Sequence, residues 1–339
     1  MYDYVVVGAG SAGCVLAARL SEDPNASVAL IEAGREDTAP EIHIPTAFPT
    51  LFKTAWDWDF DSECEPGLCG RRVYLPRGRM LGGSSSMNAM VYIRGNANDY
   101  DEWAAAGASG WGYQDVLPYF IRSEDNERGG DEYHGVGGPQ HVSDGRVMSR
   151  PVELFLESAG EAGYQANPDF NGASQLGVGR YQLTQRNGMR WSTADGYLRP
   201  ALARPNLTVI TGALAHRVVF DGDRAIGVEI SSGTERSVVR AESEVVLCAG
   251  AYGSPHLLLL SGVGPTVELS PFGIPVVADL PVGRGLQDHM LCAINYLTDE
   301  ESLMTAANPA NTAALQERGN GPLTSNIDEA GGFLQTRAG

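Results

Sequence analysis

Six small residues near the amino terminus, Gly8-Ala9-Gly10-Ser11-Ala12-Gly13, stand in the spacing G-x-G-x-x-G. Such a run bends the chain sharply out of a strand and keeps side chains away from an approaching pyrophosphate. Gly8 permits the turn, Gly10 clears the approach to the phosphates, and Gly13 lets the next helix pack close to the sheet. A helix that starts here offers free N–H groups and partial positive charge to the phosphates. Glu32 follows Gly13 by 19 residues, where a carboxylate accepts hydrogen bonds from ribose hydroxyls and repels a 2′-phosphate. These residues bind a dinucleotide; they do not separate FAD from NAD.

A second run, Gly78-Arg79-Met80-Leu81-Gly82-Gly83-Ser84-Ser85-Ser86-Met87-Asn88-Ala89-Met90-Val91, is more discriminating. Adjacent glycines followed by three serines give a backbone with little bulk and many small donors, suited to a flat ring system and its diphosphate chain. A flexible loop would not run on into an apolar Met-Asn-Ala-Met-Val-Tyr-Ile stretch. Among six histidines a general base for alcohol oxidation is conceivable, but His134 in a Tyr-His-Gly turn and His256 at a helix start read as structural. Asp57 and Asp59 flank Trp58 and read as a solvated loop rather than a lid. No Ser-His-Asp order and no metal-ligand set stands out, and Cys64 and Cys69, either side of a Pro-Gly turn, read as free thiols.

The elements that position these groups follow from periodicity. Residues 2–7 and 27–31 read as buried strands around a helix at 11–21, a β-α-β unit. Residues 34–77 are loop-rich and too long for a plain connection, which suggests a cover over a site. A helix is expected at 151–164 and strands at 207–211, 215–220, 225–230, 237–240 and 244–248. The tail from 291 is polar, then loop plus strand over 321–336, and it stops at Arg337-Ala338-Gly339 without a closing element. A length of 339 residues suits two domains, and 43% hydrophobic residues against 19% charged fill a real core. The net charge of −18 disfavours nucleic acid and anionic lipid as partners. No run approaches a membrane span and no basic, apolar leader precedes Tyr2, so a cytoplasmic location is expected, with peripheral membrane association left open.

The run from Gly78 to Asp101 resembles the first signature of the glucose–methanol–choline (GMC) flavoprotein oxidoreductases, and Gly250–Gly264 (GAYGSPHLLLLSGVG) resembles their second. Tyr2–Gly13, Ile31–Gly34, Tyr100–Trp103, Arg204–Leu207 and Leu286–His289 extend the likeness over the whole chain, closest to bacterial choline dehydrogenase-like and aliphatic alcohol dehydrogenases. The resemblance implies an α/β fold, with a Rossmann-type FAD domain and a substrate domain built on antiparallel sheet. The FAD domain would take residues 1–150 and 201–290, and the substrate domain 151–200 and 291–339.

Carried over position by position, it implies that Gly8, Gly10, Ser11, Ala12 and Gly13 hold the pyrophosphate and Glu32 the adenosine ribose. Met80, Gly83, Ser84, Asn88, Ala89, Met90 and Val91 would line the flavin and its ribityl chain. Ala215 would meet adenine through its backbone, and Gly250 and Ala251 would close around the cofactor. Met87 stands where some members carry a histidine covalently joined to FAD, so the cofactor is expected to be noncovalent. The family's catalytic histidine lies in a carboxy-terminal region beyond Gly339, which leaves the catalytic residue unassigned; His289 falls near the flavin in relatives without being their base. The implied reaction is oxidation of a primary alcohol to an aldehyde by hydride transfer to flavin N5, with oxygen, a quinone or another acceptor. A light-driven flavin fatty-acid decarboxylase, an NAD-dependent dehydrogenase and a non-catalytic FAD-binding fragment are the rival readings.

Overall fold

The computed structural model describes residues 1–297, 299–300 and 303–335. It divides into two compact units. The first comprises Met1–Thr38, Phe52–Ser86 and Thr193–Leu297; the second comprises Ala39–Leu51, Met87–Ser192 and the described part of Thr298–Gly339. These bounds differ from the expected ones, because 39–51 and 87–150 pack with the second unit and 193–200 and 291–297 with the first. Backbone hydrogen bonds explain it: Tyr92 N donates to Gln182 O and Thr184 N to Met90 O, each at 2.8 Å, so the chain after the serine run is tied to residues 182–184.

The first unit is built on a six-stranded sheet. Its strands are β1 (Tyr2–Val7), β2 (Val28–Ile31), β3 (Leu207–Ile210), β4 (Ala213–Asp221), β5 (Arg224–Ser232) and β6 (Glu235–Leu247), in the spatial order β3-β2-β1-β6-β5-β4. β3, β2, β1 and the second half of β6 run parallel, while β4, β5 and the first half of β6 form antiparallel hairpins. Alternation along β1 sends Val6 into one core with Leu30, Cys14 and Ala17, and Val5 and Val7 into another with Ala29, Ile31 and Ile230. Both faces are thus covered, which is why β1 and β2 read as continuous apolar runs. Helix α1 (Ser11–Leu20) follows β1, and α2 (Gly250–Leu260) follows β6.

The expected strands at 237–240 and 244–248 are one 13-residue strand, β6. Its polar middle, with Glu242 and Ser243 exposed, breaks the hydrophobic signal but not the pairing, which passes from Gly227↔Arg240 to Tyr2↔Ala241.

The second unit holds short sheets and the helices Ala97–Ala105, Tyr113–Ser123, Arg150–Glu161 and Pro309–Arg318. The first of these is capped by Asn96 and Asp99, each accepting a backbone N–H across the helix start. The helix at 309–318 falls in the polar stretch of the tail, to which no element had been assigned, and Ala330–Phe333 is the strand of that tail. The expected end of that strand at Thr336, and Arg337–Gly339, lie outside the described residues. No described helix is long and apolar enough to cross a membrane.

Candidate functional site

Parallel pairing sets the strand ends level: Val7 is in register with both Ile31 and Leu247. Beyond these carboxyl ends the first unit opens a cavity of about 760 Å³, where open α/β sheets bind ligands. Its lining comes from the first unit alone.

Within the turn after β1 the glycines differ in what they do. Gly8 has φ +97°, and a Cβ there would stand 2.5 Å from Cys248 O. A Cβ on Gly13 would stand 1.8 Å from Gly8 O, so both positions are dictated by packing within the chain. Gly10 is another matter, since a Cβ there would meet nothing nearer than Gly83 Cα at 4.0 Å. The space it leaves belongs to the cavity, which Gly10 lines with Ser11 and Ala12. Gly10 is also the N-cap of α1; it offers no side-chain acceptor, and the first turn carries no acid. The N-terminal N–H groups of α1 therefore keep their capacity for an anion.

Glu32 is buried at 6% exposure and lines the same cavity. Its Oε2 accepts from Ala9 N and its Oε1 from Gly34 N, both at 2.8 Å. Those bonds fix the carboxylate and leave each oxygen a second acceptor position. Burial pushes the carboxyl pKa up, against the lowering effect of the Gly34 and Ala9 N–H groups and of Arg79.

The glycine–serine run lies against this turn. Gly82 N donates to Ala9 O at 2.8 Å, and a Cβ on Gly83, at φ +54°, would come within 2.7 Å of Gly10 Cα. Gly83 and Ser84 line the cavity, with Ser84 Oγ accepting from Gly78 N at 3.2 Å. Met80 is fully buried and does not line it. Ala215, Gly250 and Ala251 line it as well. Asn88, Ala89, Met90 and Val91 belong to the second unit. There Asn88 Oδ1 accepts from Arg190 Nη1 at 2.8 Å and Ala89 O from Asn326 Nδ2 at 2.7 Å. Met90 is buried in a left-handed conformation at φ +58°, and Val91 bridges to Leu183.

Asp57 corrects the solvated-loop reading. It is buried at 4% exposure and accepts from Lys53 N, Asp59 N, Arg77 N and the Tyr74 hydroxyl. Burial raises its pKa, but these donors outweigh it and hold the carboxyl below the usual range. Asp57 thereby ties down the loop that carries Trp58 and Phe60, both of which line the cavity. Arg77, Tyr252, His216 and His256 line it too, and the sequence reading had passed over all of them as ligand contacts. The available signal was the aromatic Trp58-Asp59-Phe60 triplet inside a stretch already read as a cover.

Other histidines lie elsewhere. His134 is buried between Glu124 and Asp169, and His141 Nδ1 is 2.8 Å from Asp125 in the same unit. All five cysteines are free thiols. No group of three or more metal-ligating side chains occurs among the described residues.

Uncapped N–H groups, a cleared Gly10 and a fixed carboxylate fit the pyrophosphate and ribose of an adenine dinucleotide. A family profile described as GMC oxidoreductase matches residues 2–291. A GMC-type oxidoreductase of Mycobacterium tuberculosis is 47% identical over 341 residues, spanning 99% of this chain and 64% of that protein. The oxygen-dependent choline dehydrogenase of Brucella anthropi is 44% identical over 345 residues, spanning 99% and 62%. Among solved structures, an FAD-dependent oxidoreductase from Chaetomium thermophilum superposes with a TM-score of 0.88 at 31% identity, over 97% of this chain and 61% of that one. The chain thus spans less than two thirds of the length of these curated relatives.

Proposed function

This chain belongs to the GMC oxidoreductase family, and from that premise we propose that its first unit holds FAD noncovalently for an enzyme that oxidises a primary alcohol to an aldehyde. The observation that carries the reading is the cavity at the ends of β1, β2 and β6, where Gly10, the uncapped start of α1 and Glu32 meet. Bound there, FAD supplies a two-electron acceptor for the hydride of the carbon that bears the hydroxyl.

The chain's own residues bind and orient. The N–H groups at the start of α1, with Ser11 and Ala12, would hold the pyrophosphate, and Glu32 the ribose hydroxyls. Gly83, Ser84, Gly250 and Ala251 would border the cofactor, and Ala215 would offer its backbone to adenine. The second unit would serve the substrate. Noncovalent attachment rests on Met87, which stands where some members carry the histidine joined to FAD. The choline dehydrogenase relative supports an alcohol as substrate. The test is acid precipitation of the yellow protein: free flavin in the supernatant is expected, and flavin retained in the pellet overturns noncovalent attachment.

A further inference from the structure

In the second unit, neither of the helices Ala97–Ala105 and Tyr113–Ser123 has a single buried residue. Where they meet, Trp103 and Trp111 stand 51% and 55% exposed, with ring centres 6.2 Å apart. Behind them Trp103 meets Tyr100 edge-on at 5.4 Å and Tyr100 meets Phe120 at 5.7 Å; the buried Arg94 guanidinium lies 5.1 Å from the Phe120 ring. Local bonds hold this surface in shape. Asp101 accepts from Tyr113 N at 2.9 Å, Asp99 from Asn96 N at 2.7 Å and Asp115 from Gly112 N at 3.1 Å, while Trp111 N donates to Ala108 O. Indoles serving only to pack the two helices together would be buried; these keep half their surface outside on a fixed framework. Charge narrows what covers them. Residues 97–121 hold four acids, Asp99, Asp101, Glu102 and Asp115, all exposed, and no Lys, Arg or His. None of the four makes an ion pair among the described residues. A symmetric pair of copies joined at this face would set the same acids against each other, and an anionic lipid surface would be repelled as well. A cation suits both features, and the planar guanidinium of arginine stacks on an indole face better than a strongly hydrated ammonium does.

We propose that the face formed by Trp103 and Trp111 is a docking surface for a basic polypeptide partner, whose arginine side chains stack on the two indoles beside the carboxylates of Glu102 and its neighbouring aspartates. The face lies within the second unit, and the inference is independent of the flavin reading. The indoles supply affinity and the choice of arginine; the carboxylates speed the encounter and make it salt-dependent.

The experiment titrates the 339-residue chain with a blocked octapeptide of alternating arginine and glycine, followed by calorimetry at low salt. Trp103→Leu and Trp111→Leu together keep apolar bulk and remove both π faces, whereas the two Phe substitutions keep a ring. The leucine pair is expected to weaken the peptide about tenfold and the phenylalanine pair less than about threefold. Unchanged affinity in the leucine pair overturns the proposal, because binding then follows the net charge of −18 alone. A parent chain that does not bind the peptide, or that binds a lysine–glycine peptide as tightly, overturns it as well. The unsubstituted chain guards against a folding defect in the variants: of its five indole N–H resonances, the two that vanish in Trp103→Leu and Trp111→Leu should move when the peptide is added. Shifts confined to the other three overturn the proposal. A dimer in sedimentation that the leucine pair dissolves, or binding to phosphatidylcholine vesicles that the pair abolishes, would give the face to a second copy or to a lipid surface and overturn it too.

Discussion

Two regions of this protein concentrate buried charge, and they use it in opposite ways. In the second unit Arg94 and Glu124, at 3% and 0% side-chain exposure, pair at 2.8 Å. Glu124 also accepts from Asn126 Nδ2 and Gly135 N, and meets His134 Nδ1 at 3.0 Å, while His134 Nε2 reaches Asp169 at 3.0 Å. In the first unit Glu32 is buried too, but its hydrogen-bond partners are backbone N–H groups and it borders a cavity. The comparison teaches that a perturbed titratable cluster does not mark a ligand site by itself. What separates the two regions is spare hydrogen-bonding capacity beside open space: Glu32 has it, and the carboxylate of Glu124 has spent it on its neighbours.

The widest way to break this contrast is His134→Ala. It leaves Glu124 and Asp169 without their shared partner and should cost about 3–5 kcal/mol of stability, read by chemical denaturation. ADP affinity should hold, because the cavity lining excludes His134. A variant that keeps its stability and loses ADP would reverse the roles assigned to the two regions.

The pH dependence of the same cluster is the next largest effect. Hydrogen bonding to Asp169 first, then to Glu124, raises the His134 pKa from 6.5 to about 9, against the effect of burial. A raised folded-state pKa means the stabilisation is complete below pH 6.5 and is lost as pH climbs through about 9. The loss should approach about 3 kcal/mol, taking 1.36 kcal/mol per pH unit, and should vanish in His134→Ala.

On the other side of the comparison, Glu32→Ala should weaken FAD and ADP binding by about 1.5–3 kcal/mol, the worth of hydrogen bonds to a charged group, while the fold survives. Unchanged ADP affinity would remove Glu32 from the ribose. The smallest effect on stability is expected for Gly10→Ala. Its Cβ meets only Gly83 Cα at 4.0 Å, so the melting temperature should stay near the parent's while nucleotide affinity drops. A lowered melting temperature with full affinity would show that Gly10 answers packing, as Gly8 and Gly13 do.

The glycine-rich turn after β1 was legible because its signal is local. Gly8, Gly10, Gly13 and Glu32 lie on one β-α-β unit of consecutive elements, and period and spacing report it directly. The single strand β6 was not legible, since its polar middle at Glu242-Ser243 breaks the apolar pattern that a window detects. Asp57 was misread for a related reason: an acid between Trp56 and Trp58 scores as solvated, and only the arrival of Tyr74 and Arg77 from later in the chain shows why it is buried.

By itself, then, the sequence determined the α/β class, the glycine-rich turn after β1 that leads into α1, and the family, all carried by residues close together in the chain. Tertiary structure alone decided the rest. It brought Tyr252 on α2 beside Phe60 and Arg77, and it closed the ion cluster of Arg94, Glu124, His134 and Asp169. It also assigned 87–150 to the second unit rather than the first. The physical reason is the same in each case: whether a polar or aromatic side chain is satisfied, stacked or left facing a cavity depends on partners distant in sequence, and no local spacing encodes them.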